Sequence, residues 1–286
     1  MADLYHKEWN DVHGKPIARV LFVHGFGERI EAYPEFFERL NKFGIEAWGY
    51  DQRGFGKSMK SEKERARTGG WAKLFPDLDY QVERASQVGL PLFLWGHSMG
   101  GAIVLRYGVV GKHKDKLSGI IAQAPMLETH PDLSPNPILV KVGSWVSKVF
   151  PNIPYNTKVN ELFHITRDAE VKKRLDDDPL VSDIGTLQSI GDMLNGGKTI
   201  ITLAPQFELP LLICHGTDDN VTYNVSSKKF FDNAASIDKT YNSYPGYYHS
   251  LHIEKEPEVT EYIRDVAKWI IERCKPADEA AEETDA

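Results

Sequence analysis

The chain has 286 residues, 41% hydrophobic and 26% charged, with a formal net charge of -7. That composition can bury a sizeable core and leaves no basic footprint for nucleic acid. The last twelve residues, KPADEAAEETDA, carry -4 of the charge and leave only -3 on the rest; 276–286 is expected to be a disordered acidic tail.

In chain order, ARVLFVHG (18–25) predicts a first buried strand, followed by a helical pattern over 32–43 and a second strand at GIEAWGYD (44–51). A helix over 77–88 leads to the strand LPLFLWGH (90–97), a helix over 99–112 and the strand LSGIIAQAP (117–125). Near-continuous apolarity, without strict alternation, predicts strands covered on both faces, as in a parallel sheet. The alternation then breaks between Met126 and Pro205, a stretch too long for a bare loop, and 127–205 is read as an inserted helical cap. Within it Ile138, Val142, Trp145, Val146, Val149 and Phe150 share one helical face, flanked by Lys141 and Lys148. That face is expected to pack on the main core, with an apolar lip touching lipid as the alternative. Strand, helix, strand and helix resume at LPLLICHG (209–216), 223–235, KTYNSYPG (239–246) and about 256–274. The expected organisation is therefore an α/β fold, a mostly parallel doubly wound sheet. Its core is formed by 1–126 and 206–275, interrupted by the cap.

Gly96-His97-Ser98-Met99-Gly100 is G-x-S-x-G between a predicted strand and a predicted helix. That is the context of a nucleophile elbow, in which a tight strained turn exposes the serine hydroxyl at the sheet edge. A serine needs a base to take its proton, and in this chain order the acid and then the histidine follow it. His249 and His252 in PGYYHSLHIEKEP come after the last strand; His249 is the first choice for the base and His252 is expected to line the pocket. The acid should follow LLICHG, where TDD offers Asp218 and Asp219, which the residues alone do not separate. Phe26, after His24-Gly25, and Met99 are placed to supply the two backbone N–H groups of an oxyanion hole.

DQRGFGKS (51–58) ends like a phosphate loop but has Asp51 where the first glycine should stand, and His249-x-x-His252 lacks the H-E-x-x-H pattern of zinc hydrolases. No cofactor, nucleotide or metal is expected. Cys214 and Cys274 make neither a disulfide framework nor a zinc site. With no apolar leader and no span-length apolar run, the expected location is cytoplasmic.

FVHGFGE, YDQRGFGKS, LWGHSMGGAIVLRY, HGTDDNVT and YPGYYHSLHIE together resemble the monoacylglycerol lipase branch of the α/β-hydrolases, the fungal members in particular, from about Ala18 to Lys275. The resemblance implies the α/β-hydrolase fold and a cap that forms an apolar acyl tunnel. It selects Asp219, four positions into G-x-x-D, as the acid, and assigns Phe26 and Met99 to the oxyanion hole. It further places Glu28 and His252 near the glycerol head group. An arginine of some relatives is replaced here by Ala32, so head-group contacts are expected to differ. The implied activity is hydrolysis of monoacylglycerols to fatty acid and glycerol, with peripheral association to membranes or lipid droplets through the cap. The alternatives are a broader carboxylesterase or lysophospholipase with the same triad, or a non-catalytic lipid-binding scaffold.

Overall fold

The computed structural model describes residues 3–133, 137–159 and 165–274. The acidic-tail expectation for 276–286 and the side chains of Ile138 and Lys141 lie outside the described residues.

Seven strands form one sheet in the order β1-β3-β2-β4-β5-β8-β9. They are β1 His6–Trp9, β2 Ala18–Val23, β3 Ile45–Tyr50, β4 Leu92–His97, β5 Gly119–Gln123, β8 Leu211–Gly216 and β9 Lys239–Tyr244. All neighbours run parallel except β1, which pairs antiparallel with β3. The predicted strands are all present; β1 was not predicted, because its four residues HKEW mix polar and apolar types and bury only Trp9.

The apolar runs are continuous because alternate residues of each strand enter different cores. Leu21, Val23, Leu94, Ile120 and Ile213 face one side. Val20, Phe22, Phe93, Trp95, Ile121 and Leu212 face the other. The first core is closed by α2 (Trp71–Ala85), α3 (Met99–Val110) and α7 (Asn224–Asn233), and the second by α1 (Pro34–Asn41) and α8 (Glu258–Glu272). Helix α2 begins six residues before the predicted 77, with Pro76 inside it. Trp71 packs on Phe75, and Phe75 stacks on Tyr107 of α3, contacts that offset the hydrogen bond Pro76 cannot make.

The chain order reverses around β2, whose neighbours are β3 and β4, and such a switch point opens a crevice at the carboxyl ends of the strands. Val23 pairs with Gly96, His97 with Gln123, and Gln123 with Cys214. The loops after β2, β4 and β8 therefore leave the sheet at one level, side by side.

Residues 127–205 hold α4 (Pro137–Ser147), a two-stranded ribbon of β6 (Pro154–Asn156) and β7 (Ile184–Thr186), α5 (Ala169–Asp176) and α6 (Leu187–Leu203). Helix α6 rests on the first core through Ile200, with Met193 and Leu194 against it. Of the apolar stripe expected to pack on the core, Val142, Trp145, Val149 and Phe150 are instead 53–69% exposed, while Val146 is half-buried.

On the sheet edge, Arg19 of β2 lies within 2.6 Å of Glu46 on β3 and 3.5 Å of Glu8 on β1, its side chain only 5% exposed. Arg19→Ala would leave Glu46 buried and unpaired, and we expect a loss of about 3 kcal/mol in chemical denaturation. A loss below about 1 kcal/mol would mean that water reaches the pair freely.

Candidate active site

β4 ends at His97 and α3 begins at Met99, so Ser98 alone makes the corner. Its φ of 53° and ψ of -116° are strained for a residue with a Cβ. The surroundings hold that conformation: the Ser98 N–H donates to Gln123 O at 2.9 Å, while Ser98 O accepts from Met126 N at 2.9 Å and Ala102 N at 3.1 Å. The flanking glycines are required by close approach. A Cβ on Gly96 would lie 2.2 Å from Gly100 O, and one on Gly100 would lie 2.0 Å from Val23 O.

That second approach brings the loop after β2 against the start of α3, so the Phe26 and Met99 N–H groups come from touching segments. Among the described residues neither donates to another backbone group. Glu28 anchors the loop from inside, its Oε2 accepting from Gly25 N at 2.6 Å and its Oε1 lying 3.1 Å from His97 Nδ1. Burial works to raise the Glu28 pKa, but the adjacent His97 outweighs it and holds the carboxyl well below the usual range. Glu28, expected at the head group, thus directs its polar atoms first toward its own loop and His97.

Beyond β8 the two aspartates part. Asp218 turns to the surface, where Thr217 Oγ1 donates to it at 2.8 Å. Asp219 turns inward, 4% exposed, and its Oδ1 accepts from Val221 N at 2.8 Å and Thr222 N at 3.0 Å. Its Oδ2 accepts from Thr222 Oγ1 at 2.7 Å and lies 2.8 Å from His249 Nδ1 and 3.0 Å from His215 Nε2. Burial would lift the Asp219 pKa, but His249, together with the His215 hydrogen bond, holds it far below the ordinary value. Burial moves His249 the other way, below 6.5, against the pull of Asp219. The imidazole is consequently neutral near pH 7. Its ring lies 4.8 Å from that of His97, the residue directly before Ser98, which brings the base loop to the elbow.

His252 is 1% exposed, 4.8 Å from His97, and packs against Phe22, Tyr33 and Phe36. Its Nδ1 is 2.7 Å from Gln123 Nε2, and burial drives its pKa well down. The aromatic box follows from β2 and α1, which a reading of the histidine loop alone could not supply. Two participants carry no role in the sequence reading: His97, the x of G-x-S-x-G, and His215, at the end of a strand.

The insertion ties both loops. Ser182 N donates to Gly27 O at 2.9 Å, and Arg29 Nε lies 2.6 Å from Asp178 Oδ2. On the base side, Ser250 N donates to Ile165 O at 2.8 Å, Thr166 Oγ1 to Ile253 O at 2.7 Å, and Arg167 Nε to the buried Glu254 at 2.9 Å. A small, mostly apolar cleft lies behind Met99, between α2, α3 and α6, lined by Trp71, Leu74, Ala102, Ile103 and Met193.

A family model described as Serine aminopeptidase, S33, matches residues 14–256. A Schizosaccharomyces pombe protein named "Putative monoglyceride lipase" is 61% identical over 97% of this chain and 74% of its own length. The "Monoglyceride lipase" of Saccharomyces cerevisiae is 31% identical over 91% of this chain and 85% of its own. Among solved structures, a soluble variant of the Saccharomyces cerevisiae monoglyceride lipase in complex with a substrate analog matches with a TM-score of 0.87 at 29% identity, covering 95% of this chain and 92% of that one. The Paleococcus ferrophilus monoacylglycerol lipase matches with a TM-score of 0.82 at 27% identity, covering 95% and 99%. The fold described above is theirs, and the chain belongs to the Serine aminopeptidase S33 family of α/β-hydrolases, in its monoglyceride lipase branch.

Proposed function

We propose that this hydrolase cleaves monoacylglycerols to fatty acid and glycerol through an acyl-enzyme on Ser98. The observation that carries the reading is the buried 2.8 Å contact of Asp219 with His249, whose ring packs on the residue preceding a strained Ser98. The printed names of the relatives supply the substrate class, and the lining of the small cleft behind Met99 is apolar.

In the proposed sequence, the Ser98 hydroxyl attacks the ester carbonyl while His249 Nε2 takes its proton. Asp219 keeps the other ring nitrogen protonated and stabilises the imidazolium. The Phe26 and Met99 N–H groups receive the oxyanion. The tetrahedral intermediate collapses, the C–O bond to glycerol breaks, and His249 returns the proton to the leaving alkoxide. A water deprotonated by His249 then attacks the acyl-enzyme, and the collapse of the second intermediate frees the fatty acid and re-protonates Ser98.

The exposed Val142, Trp145, Val149 and Phe150 support peripheral contact of the cap with membranes or lipid droplets. Both cysteines are free, in keeping with the cytoplasmic side of such surfaces.

Ser98→Ala should lower turnover of a long-chain monoacylglycerol by a factor on the order of 10⁶ and abolish labelling by a fluorophosphonate probe. A lysophosphatidylcholine or short p-nitrophenyl ester hydrolysed faster than the monoacylglycerol would shift the substrate class. His249 must be neutral to act, and its pKa is lowered from 6.5. Activity should thus be complete near pH 7 and disappear as the pH falls, with the acid limb of kcat/KM centred below 6.5; a midpoint at or above 6.5 contradicts the assignment. For the cap, Trp145→Glu combined with Phe150→Glu should weaken cosedimentation with phosphatidylcholine vesicles several-fold, and undiminished binding would remove this surface from the proposal.

A further inference from the structure

His215 is a titratable side chain, 1% exposed, that the reaction sequence above leaves without a task. It ends β8, four residues before Asp219, and its Nε2 lies 3.0 Å from the same Oδ2 that faces His249. Its other nitrogen, Nδ1, is 3.0 Å from Ser227 Oγ on α7. Asp219 is ionised and can only accept, so His215 presents Nε2–H to it, while the Ser227 hydroxyl rests against Nδ1 and fixes the ring from behind. We propose that His215 is a positioning residue: a second imidazole that grips the carboxylate proposed to orient His249, with Ser227 holding the ring in place.

The geometry explains what the grip does. Asp219 faces two backbone N–H groups on Oδ1 and a hydroxyl and two ring nitrogens crowded on Oδ2, so both of its oxygens are held. A carboxylate held from both ends cannot rotate away from His249. Donation from His215 also takes up part of its charge and weakens its pull on the His249 proton. That keeps the base free to accept a proton from the nucleophile near neutral pH. The other titratable groups facing His249 are His97 at the end of β4, Glu28 in the loop after β2, and His252 in its own loop. None of these touches Oδ2. Thr222 Oγ1 is 3.3 Å from His215 Nε2, and α7 brings the Ser227 hydroxyl. Neither can take the place of the Nε2–H.

The inference rests on the reading of Ser98, Asp219 and His249 given above, and a pH profile separates the two. His215→Leu removes the donor without reaching the ester. It should lower kcat by on the order of ten- to a hundredfold with little change in KM. It should also move the acid limb of kcat/KM upward by roughly half a unit, because the freed carboxylate holds the His249 proton more tightly. His215→Gln places an amide N–H near the position of Nε2 and should return both the rate and the limb most of the way. Ser227→Ala removes the hydroxyl that fixes Nδ1, loosens the ring and should move the limb in the same direction by a smaller step, so the test survives if the leucine variant does not fold. Fluorophosphonate labelling confirms that each variant retains a formed site. An acid limb that stays in place in every folded variant, or His215→Gln behaving like His215→Leu, overturns the role of His215. A Ser98→Ala protein that still turns over at the wild-type rate would instead overturn the triad itself.

Discussion

A serine with a positive φ between a parallel strand and a helix is the constraint on which the rest of this molecule depends. The conformation is costly for any residue with a side chain, and it persists because its neighbours leave no other path. The β5 carbonyl of Gln123 takes the Ser98 N–H, Met126 and Ala102 donate to the Ser98 carbonyl, and two glycines let β4, α3 and the end of β2 pass within contact distance. Each of those supports needs the sheet to be in register, so the reactive position is stabilised by the whole central sheet. Two buried cores, one on each face, supply the free energy that the strained turn consumes.

The second organising element is a set of two acids and four histidines withdrawn from the surface. Glu28, His97, His252, His249, Asp219 and His215 follow one another across the carboxyl edge of the sheet, all removed from bulk water to different degrees. Burial alone would neutralise the acids and discharge the histidines. His249 and His252 are driven toward their neutral forms, while the carboxylates stay ionised because ring nitrogens and backbone N–H groups surround them. The result is a site with anions fixed in known places and the His249 imidazole neutral between them, an electrostatic arrangement suited to passing a proton over short distances.

How much of this can be read from the residues follows from the range of the forces involved. The strands and the elbow are legible because continuous apolarity and G-x-S-x-G are local signals. The inward turn of Asp219 rather than Asp218 was suggested only by family resemblance. Its cause is the pair of N–H groups at 221 and 222, which capture its carboxylate. Strand β1 escaped notice because an edge strand with one buried residue carries almost no periodicity. The placement of His252 depends on aromatic side chains more than two hundred residues earlier in the chain, and the exposure of Val142 and Trp145 depends on which side of the insertion meets the core. Both are decided by tertiary packing, which an amphipathic pattern does not encode.

The attachment of the insertion at two points has a mechanical meaning. One stretch of backbone, from Ile165 to Ser182, is fastened at its beginning to the histidine loop and at its end to the loop carrying Phe26, with α5 as the rigid spacer between the fastenings. A spacer of fixed length sets the span between whatever it joins. Lengthening or shortening α5 by a turn would therefore displace two loops that never touch it through the sheet. The tolerance for insertions that is usual for surface excursions should stop at these residues.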